Sequence, residues 1–159
     1  MANTIMARAY VEKTLSEYLE TDNLRVDDDG DVLIRSGSTL CVVRVTDGPT
    51  GPMMRVFAPF LSKVEKMPEL LDHLNEMNAN CPYVRFFWSN QTVFCGVDVL
   101  AEDLQASEVG NALSAVSWHA DKFDDELASK FGGDVCFPDD ENETASSDQP
   151  KPAYTGQYL

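Results

Sequence analysis

The chain has no C-x-x-C pair, no G-x-S-x-G turn, no glycine-rich phosphate loop and only two histidines. Each absence removes a chemistry. A structural zinc needs four thiolate or imidazole ligands at close spacing, whereas Cys41, Cys81, Cys95 and Cys136 stand singly and His73 and His119 are far apart. Nucleophilic catalysis needs a serine or cysteine with a base in reach, and a phosphate cradle needs clustered glycine N–H groups. The nine glycines here are scattered among turns. His73, between Asp72 and Leu74, and His119, between Trp118 and Ala120, read as helix-surface or boundary residues. Asp27, Asp29 and Asp31 alternate like the opening of a calcium loop. That register, however, puts Val32 at the glycine position and Ser38 at the bidentate-glutamate position, so the segment reads as a solvated turn. No catalytic residue, metal or cofactor is assigned.

Basic residues and long apolar runs are also scarce. Lysine and arginine total 12 against 27 acidic residues, a net charge of −15 that repels nucleic acid and anionic lipid. No apolar run approaches the roughly 18 residues of a membrane span, and Met1–Glu20 is amphipathic where a signal peptide would be continuously apolar. A cytoplasmic protein that neither inserts in membranes nor binds nucleic acid is expected.

What is present is periodicity. With 159 residues, 43% of them hydrophobic, the chain suits one domain with a core. Val11, Leu15, Tyr18 and Leu19 mark a helix over about 4–20 with one buried stripe. Short strands follow at Leu24–Val26, Val32–Arg35, Leu40–Thr46 and Met53–Ala58, separated by Asp27–Asp31, Ser36–Ser38 and a loop at Asp47–Pro52. A second helix opens at Pro68, carries Leu70, Leu71, Leu74 and Met77 inward, and ends at Asn78 or Asn80 through asparagine's tolerance of the left-handed region. Tyr83–Trp88 and Thr92–Leu100 form a hairpin. The clearest element is a last helix capped by Ser107. In it Val109, Leu113, Val116, Ala120, Phe123, Leu127 and Phe131 recur at spacings of three and four, up to Gly132-Gly133. The fold class is therefore α+β: three helices and an antiparallel sheet of five to six strands, in the order α-β(3-4)-α-β-β-α.

Residues 1–133 form the domain, and 134–159 an acidic tail. Asp139 to Asp148 cannot bury enough apolar surface to order itself. Tyr154, Tyr158 and Leu159 at the end read either as a short docking motif or as a frayed terminus.

Strand parity separates two faces. Cys41, Val43 and Val45 share one, and Cys95 follows the same phase, so both cysteines read as buried small hydrophobes. The opposite face gathers Arg44, Arg55 and Arg85 with Phe57, Tyr83, Phe87 and Phe94. Two readings of that face stand side by side: a peptide-binding surface, since arginine and aromatics are enriched at interfaces, and an outer sheet covered by arginine stems. Positive charge is concentrated there in an acidic protein, so the acidic tail is able to fold back onto that face when no client is bound.

Three segments carry a resemblance. Leu74-Asn75-Glu76-Met77-Asn78-Ala79-Asn80, the aromatic strand Val84-Arg85-Phe86-Phe87-Trp88, and a final helix ending Phe131-Gly132-Gly133 resemble the YbjN-like family. In actinobacteria that family is grouped with type III secretion chaperones. The likeness spans about residues 4–133 and departs in one respect, four strands before the second helix where secretion chaperones have three. It implies an often homodimeric α+β domain that holds a protein or peptide client without ATP, and it carries over no catalytic residue. The leading expectation is a non-catalytic, chaperone-like peptide-binding module. The alternative is a regulatory or assembly subunit with the sheet as a permanent interface and the tail as docking motif.

Overall fold

Alternation along the long strands gives the sheet one continuous apolar face, and that face decides the layering. The computed structural model describes residues 2–137. Their order is α1 (Ala2–Tyr18), β1 (Arg25–Val26), β2 (Val32–Ser36), β3 (Thr39–Gly48), β4 (Gly51–Ser62), α2 (Pro68–Asn80), β5 (Arg85–Ser89), β6 (Thr92–Leu100), α3 (Ala106–Phe131) and β7 (Asp134–Val135). The sheet is antiparallel, in the order β1-β2-β3-β4-β6-β5, with β7 against β4. The α+β class, the three helices and the four strands ahead of α2 agree with the sequence reading. The sheet has seven strands rather than five or six, because Asp134 and Val135 pair with Ser62 and Leu61 beyond the stretch of β4 that β3 covers.

Residues 134–137, assigned to the tail from sequence, run along the sheet here. Gly133 permits the turn: its φ is +98°, and a Cβ would lie 2.6 Å from Val64 Cγ2 and 2.7 Å from the Ser62 carbonyl oxygen.

Tight turns lengthen the central strands. Gly48 pairs with Gly51, so the loop expected at Asp47–Pro52 shrinks to Pro49-Thr50. Ser89 pairs with Thr92, and Asn90 and Gln91 between them both have positive φ, 47° and 59°, the backbone of a type I′ turn that matches strand twist. The register shift between Pro59 and Leu61 lets both Phe60 and Leu61 face inward, fully buried.

All three helices cover one side of the sheet. Val43, Met54, Val56 and Val97 pack in a single core with Val11 and Leu15 of α1, Leu70 and Leu74 of α2, and Val109, Val116 and Leu127 of α3. Cys41 and Cys95 lie in that core, as strand phase indicates. Burial pushes the Cys41 thiol up to about 12 and raises Cys95 too, which suppresses the thiolate of both.

Four details of the helices differ from the sequence reading. Tyr18 is 52% exposed rather than buried. It lies across Gly110 of α3, with its hydroxyl 2.8 Å from Ser114 Oγ. Leu71 points outward while Leu70, Leu74 and Met77 point in, because a thirteen-residue helix on a flat sheet buries a narrow stripe. Gln105, not Ser107, caps α3, its N–H donating to the Glu108 carboxylate at 2.7 Å. No left-handed asparagine closes α2: Cys81 follows it in an extended conformation, and Asn80 Nδ2 donates to the Glu76 carbonyl at 2.9 Å.

Asn78 has a different task. Its Nδ2 donates to the Phe86 carbonyl at 2.9 Å and its Oδ1 accepts the Phe86 N–H at 2.7 Å. One side chain thus satisfies both backbone groups of Phe86, as a neighbouring strand would, and blunts the outer edge of β5. An asparagine near the helix end, followed by an aromatic strand, therefore has a physical reason to occur as a pair.

A polar latch ties the β2–β3 turn to α3. Asp121 Oδ1 accepts the Ser38 N–H at 3.0 Å and the Ser38 hydroxyl at 2.6 Å, and that hydroxyl also bonds buried Asp124. Burial pushes the Asp124 carboxyl above its ordinary 3.8, against the opposing hydrogen bond from Ser38. Ser38 lowers Asp121.

Two outcomes are expected. Asn78→Ala should cost about 1–3 kcal/mol in urea unfolding, the range for polar groups left unsatisfied, with added self-association through the opened β5 edge. A carboxyl whose pKa is raised by folding binds its proton more tightly in the folded state, so stability should fall as pH rises from 3.8 through the folded Asp124 value. Asp124→Asn should flatten that slope in unfolding curves taken across the interval.

Candidate functional site

The outer face of the sheet is built by register. Arg44 of β3 lies opposite Arg55 of β4, which lies opposite Asp98 of β6. One step along, Phe57 is opposite Val42 on one side and Gly96 on the other, and Gly96 is opposite Arg85 of β5. A further step pairs Phe94 with Phe87. Cross-strand neighbours with like charge repel unless each has its own counter-ion. Two aspartates supply them.

Asp31, 2% exposed, takes Arg44 through Nε at 2.9 and 3.1 Å and Nη2 at 2.6 Å. Asp98 takes two arginines. Arg55 donates from Nε to Oδ1 at 2.9 Å and from Nη2 to Oδ2 at 3.3 Å, while Arg85 Nη1 reaches Oδ2 at 2.7 Å. The two carboxylates draw the facing guanidinium groups to opposite sides, and an apolar strip lies beside them, one and two steps along the strands. In that strip Phe87 stacks on Phe94, with centroids 5.0 Å apart and planes 9° apart, and Phe57 tilts onto Phe94 at 6.4 Å. Arg44 lies over the Phe57 ring at 5.4 Å and Arg85 over Phe87 at 5.5 Å. A Cβ built on Gly96 would meet Phe57 Cβ at 3.5 Å, an ordinary contact, so the glycine leaves space there rather than avoiding a clash.

A groove results, lined by Arg44, Arg55, Phe57, Arg85, Phe87, Phe94 and Asp98. Its cavity volume is about 10 Å³, room for about one water. That is far below the roughly 300 Å³ at which small-molecule pockets begin. The geometry suits a surface on which side chains are laid down, with guanidinium groups for carboxylates or carbonyls and ring faces for apolar groups.

Six of the seven residues singled out from strand parity meet here. Tyr83 does not: it precedes β5 with φ +77° and is 56% exposed, since β5 begins at Arg85 rather than at Tyr83. Partial burial and the Glu108 carboxylate raise its phenol. Tyr154, Tyr158 and Leu159 lie outside the described residues. Sequence reasoning missed Asp98, whose phase with Phe94 and Gly96 was readable, and it missed Asp31, which looked like one more aspartate of an acidic turn. Neither histidine lies in this groove. His119 Nδ1 bonds the Ala115 carbonyl at 2.7 Å, and His73 packs on Phe131 with Glu126 at 3.9 Å.

Helices on one side of an antiparallel sheet and a charged aromatic groove on the other make a two-layer α+β domain. Over residues 6–139 the chain matches the family described as T3SS (YopN, CesT) and YbjN peptide-binding chaperone 1, and it belongs to that family. Among solved structures it is similar to a chain of the ExsC–ExsE complex, with a TM-score of 0.58 and 13% identity over 79% of this chain and 95% of that one. It is also similar to a chain of the HopA1–SchA chaperone–effector complex, with a TM-score of 0.54 and 13% identity over 76% and 97%. At this identity the two structures share the fold. No curated protein matches.

The two counter-ions should differ in weight. Asp31→Asn leaves Arg44 beside a neutral partner in a buried site and should cost about 3–5 kcal/mol. Asp98 is one-fifth exposed, and Asp98→Asn should cost about 1–3 kcal/mol, the scale of charged hydrogen bonds. Urea titration of both variants orders them. A larger loss for Asp98→Asn would contradict the assignment.

Proposed function

We propose that the protein is a non-catalytic, cytoplasmic, chaperone-like module that holds a segment of a client protein on the arginine–aromatic groove. Membership in a family of peptide-binding chaperones supports the class of activity. The observation that carries the site is the meeting of Arg44, Arg55, Arg85, Phe57, Phe87 and Phe94 in one groove on the side of the sheet away from the helices. Exposed carboxylates would pair with the guanidinium edges and an apolar side chain would lie on the Phe57–Phe94–Phe87 strip. The working unit is proposed to be a homodimer, for which Ile5 and Met6 of α1, each 70% exposed, offer apolar surface to bury between copies.

Peptides selected from a random displayed library against the full chain provide the test. Phe87→Ala should weaken the selected peptides at least tenfold, about 1.4 kcal/mol, as truncation of a central aromatic anchor does. Trp118→Ala, on the exposed side of α3, should leave them unchanged. The reverse pattern would move the client site to the helices. Light scattering of wild type and Met6→Lys checks the dimer, which the lysine should disrupt.

A further inference from the structure

Four buried apolar side chains, Leu40, Val42, Phe94 and Phe137, stand outside the core that the helices share with the sheet. Leu40 and Val42 are in phase with Arg44, and Phe94 with Asp98, so these three belong to the groove side. Phe137 joins them there. The Arg35 guanidinium lies 4.2 Å above its ring, its N–H donates to the Ser38 carbonyl at 3.0 Å, and the neighbouring Cys136 thiol bonds the backbone of Leu40. The chain therefore leaves the described fold at the foot of β3, on the same side as the groove.

The sequence that follows is strongly acidic: Asp139, Asp140, Glu141 and Glu143 fall within the first six residues after Phe137. Six extended residues reach about 20 Å. From Leu40, Arg44 lies four residues up the strand, about 13 Å, and β4 and β6 lie about 5 and 10 Å to the side. Among the described residues lining the groove, three guanidinium groups face one carboxylate, with Asp31 as a second beneath Arg44. The charge of the groove is thus complementary to this segment, in a protein whose net charge is −15. A tether of this length also presents the segment at an effective concentration on the order of millimolar.

We propose that the acidic segment beginning at Asp139 docks in cis on the arginine–aromatic groove and occupies it until a client displaces it. Docking is independent of the proposed client; only the displacement rests on that reading. A second copy or a foreign acidic peptide would have to compete with the tethered segment.

The test uses the full chain, with and without Asp139→Asn, Asp140→Asn, Glu141→Gln and Glu143→Gln, and no client. In nitrogen-15 NMR spectra the Gly96 amide and the Arg55 and Arg85 Nε–H signals should differ between the two proteins, and the difference should shrink in 0.5 M salt. A labelled synthetic peptide of residues 138–159 should bind the neutralised chain more tightly than the wild type. The gain should be about tenfold if the native segment fills the groove nine-tenths of the time. Adding Phe87→Ala to the neutralised chain should remove most of that binding. Spectral differences confined to residues 138–159, equal peptide affinity for the two proteins, or peptide contacts centred on Trp118 would each overturn the proposal. Library-selected peptides that bind Phe87→Ala as tightly as the wild type, with these results intact, would instead sink the client reading and leave the docking standing.

Discussion

A sheet has two faces, and the helices of this chain cover only one. The core that α1, α2 and α3 make with Val43, Met54, Val56 and Val97 fixes the register of every long strand, because a slip of one residue would turn apolar side chains to water and arginines into the core. The other face follows from that registration. Arg44 and Arg55 are brought opposite each other by the same pairing that buries Val43 and Val56, and the fold tolerates them because Asp31 and Asp98 draw the two guanidinium groups apart. The aromatic strip lies beside those ion pairs, one and two steps further along the same strands. The groove is therefore a consequence of how the sheet is kept in register.

Three edge devices keep the sheet from growing. Asn78 occupies the backbone groups of Phe86 on β5, β1 is two residues long, and β7 takes up the part of β4 that β3 leaves unpaired. With the edges managed, the outer face is the part of the sheet on which the proposed recognition would fall. Its cavity volume of about 10 Å³ argues against a small ligand and for contact by laid-down side chains. The ion pairs have a second effect: Arg55 and Arg85 are pre-positioned by one carboxylate, so less side-chain freedom would be lost on engaging the proposed partner.

Much of this was legible in the sequence because period-two and period-3.6 patterns are strong here. The helices follow from the 3.6-residue period, and the strands β2 to β6, the buried cysteines and six groove residues from the period of two. The misses have physical causes. Tyr18 and Leu71 continue an apolar stripe on paper, yet the partner surface is narrower than the stripe. Tyr83 extends the aromatic run of β5, but its positive φ takes it out of the strand. β7 is two residues long and rests on the sheet through Gly133, a scale at which periodicity carries no signal. Asp31 and Asp98 needed the register: only pairing shows which arginine each aspartate meets. The pairing of Asn78 with Phe86 was visible as a motif and became intelligible as an edge cap.

The central claim is that recognition happens on the arginine–aromatic face rather than on the helices. The most direct measurement is an NMR titration of the full chain with a library-selected peptide, following the Arg55 and Arg85 Nε–H signals together with the Trp118 indole N–H. The account predicts that both arginine signals move and saturate with the peptide while the indole stays fixed. Movement of the indole with stationary arginines would contradict it and place recognition on α3.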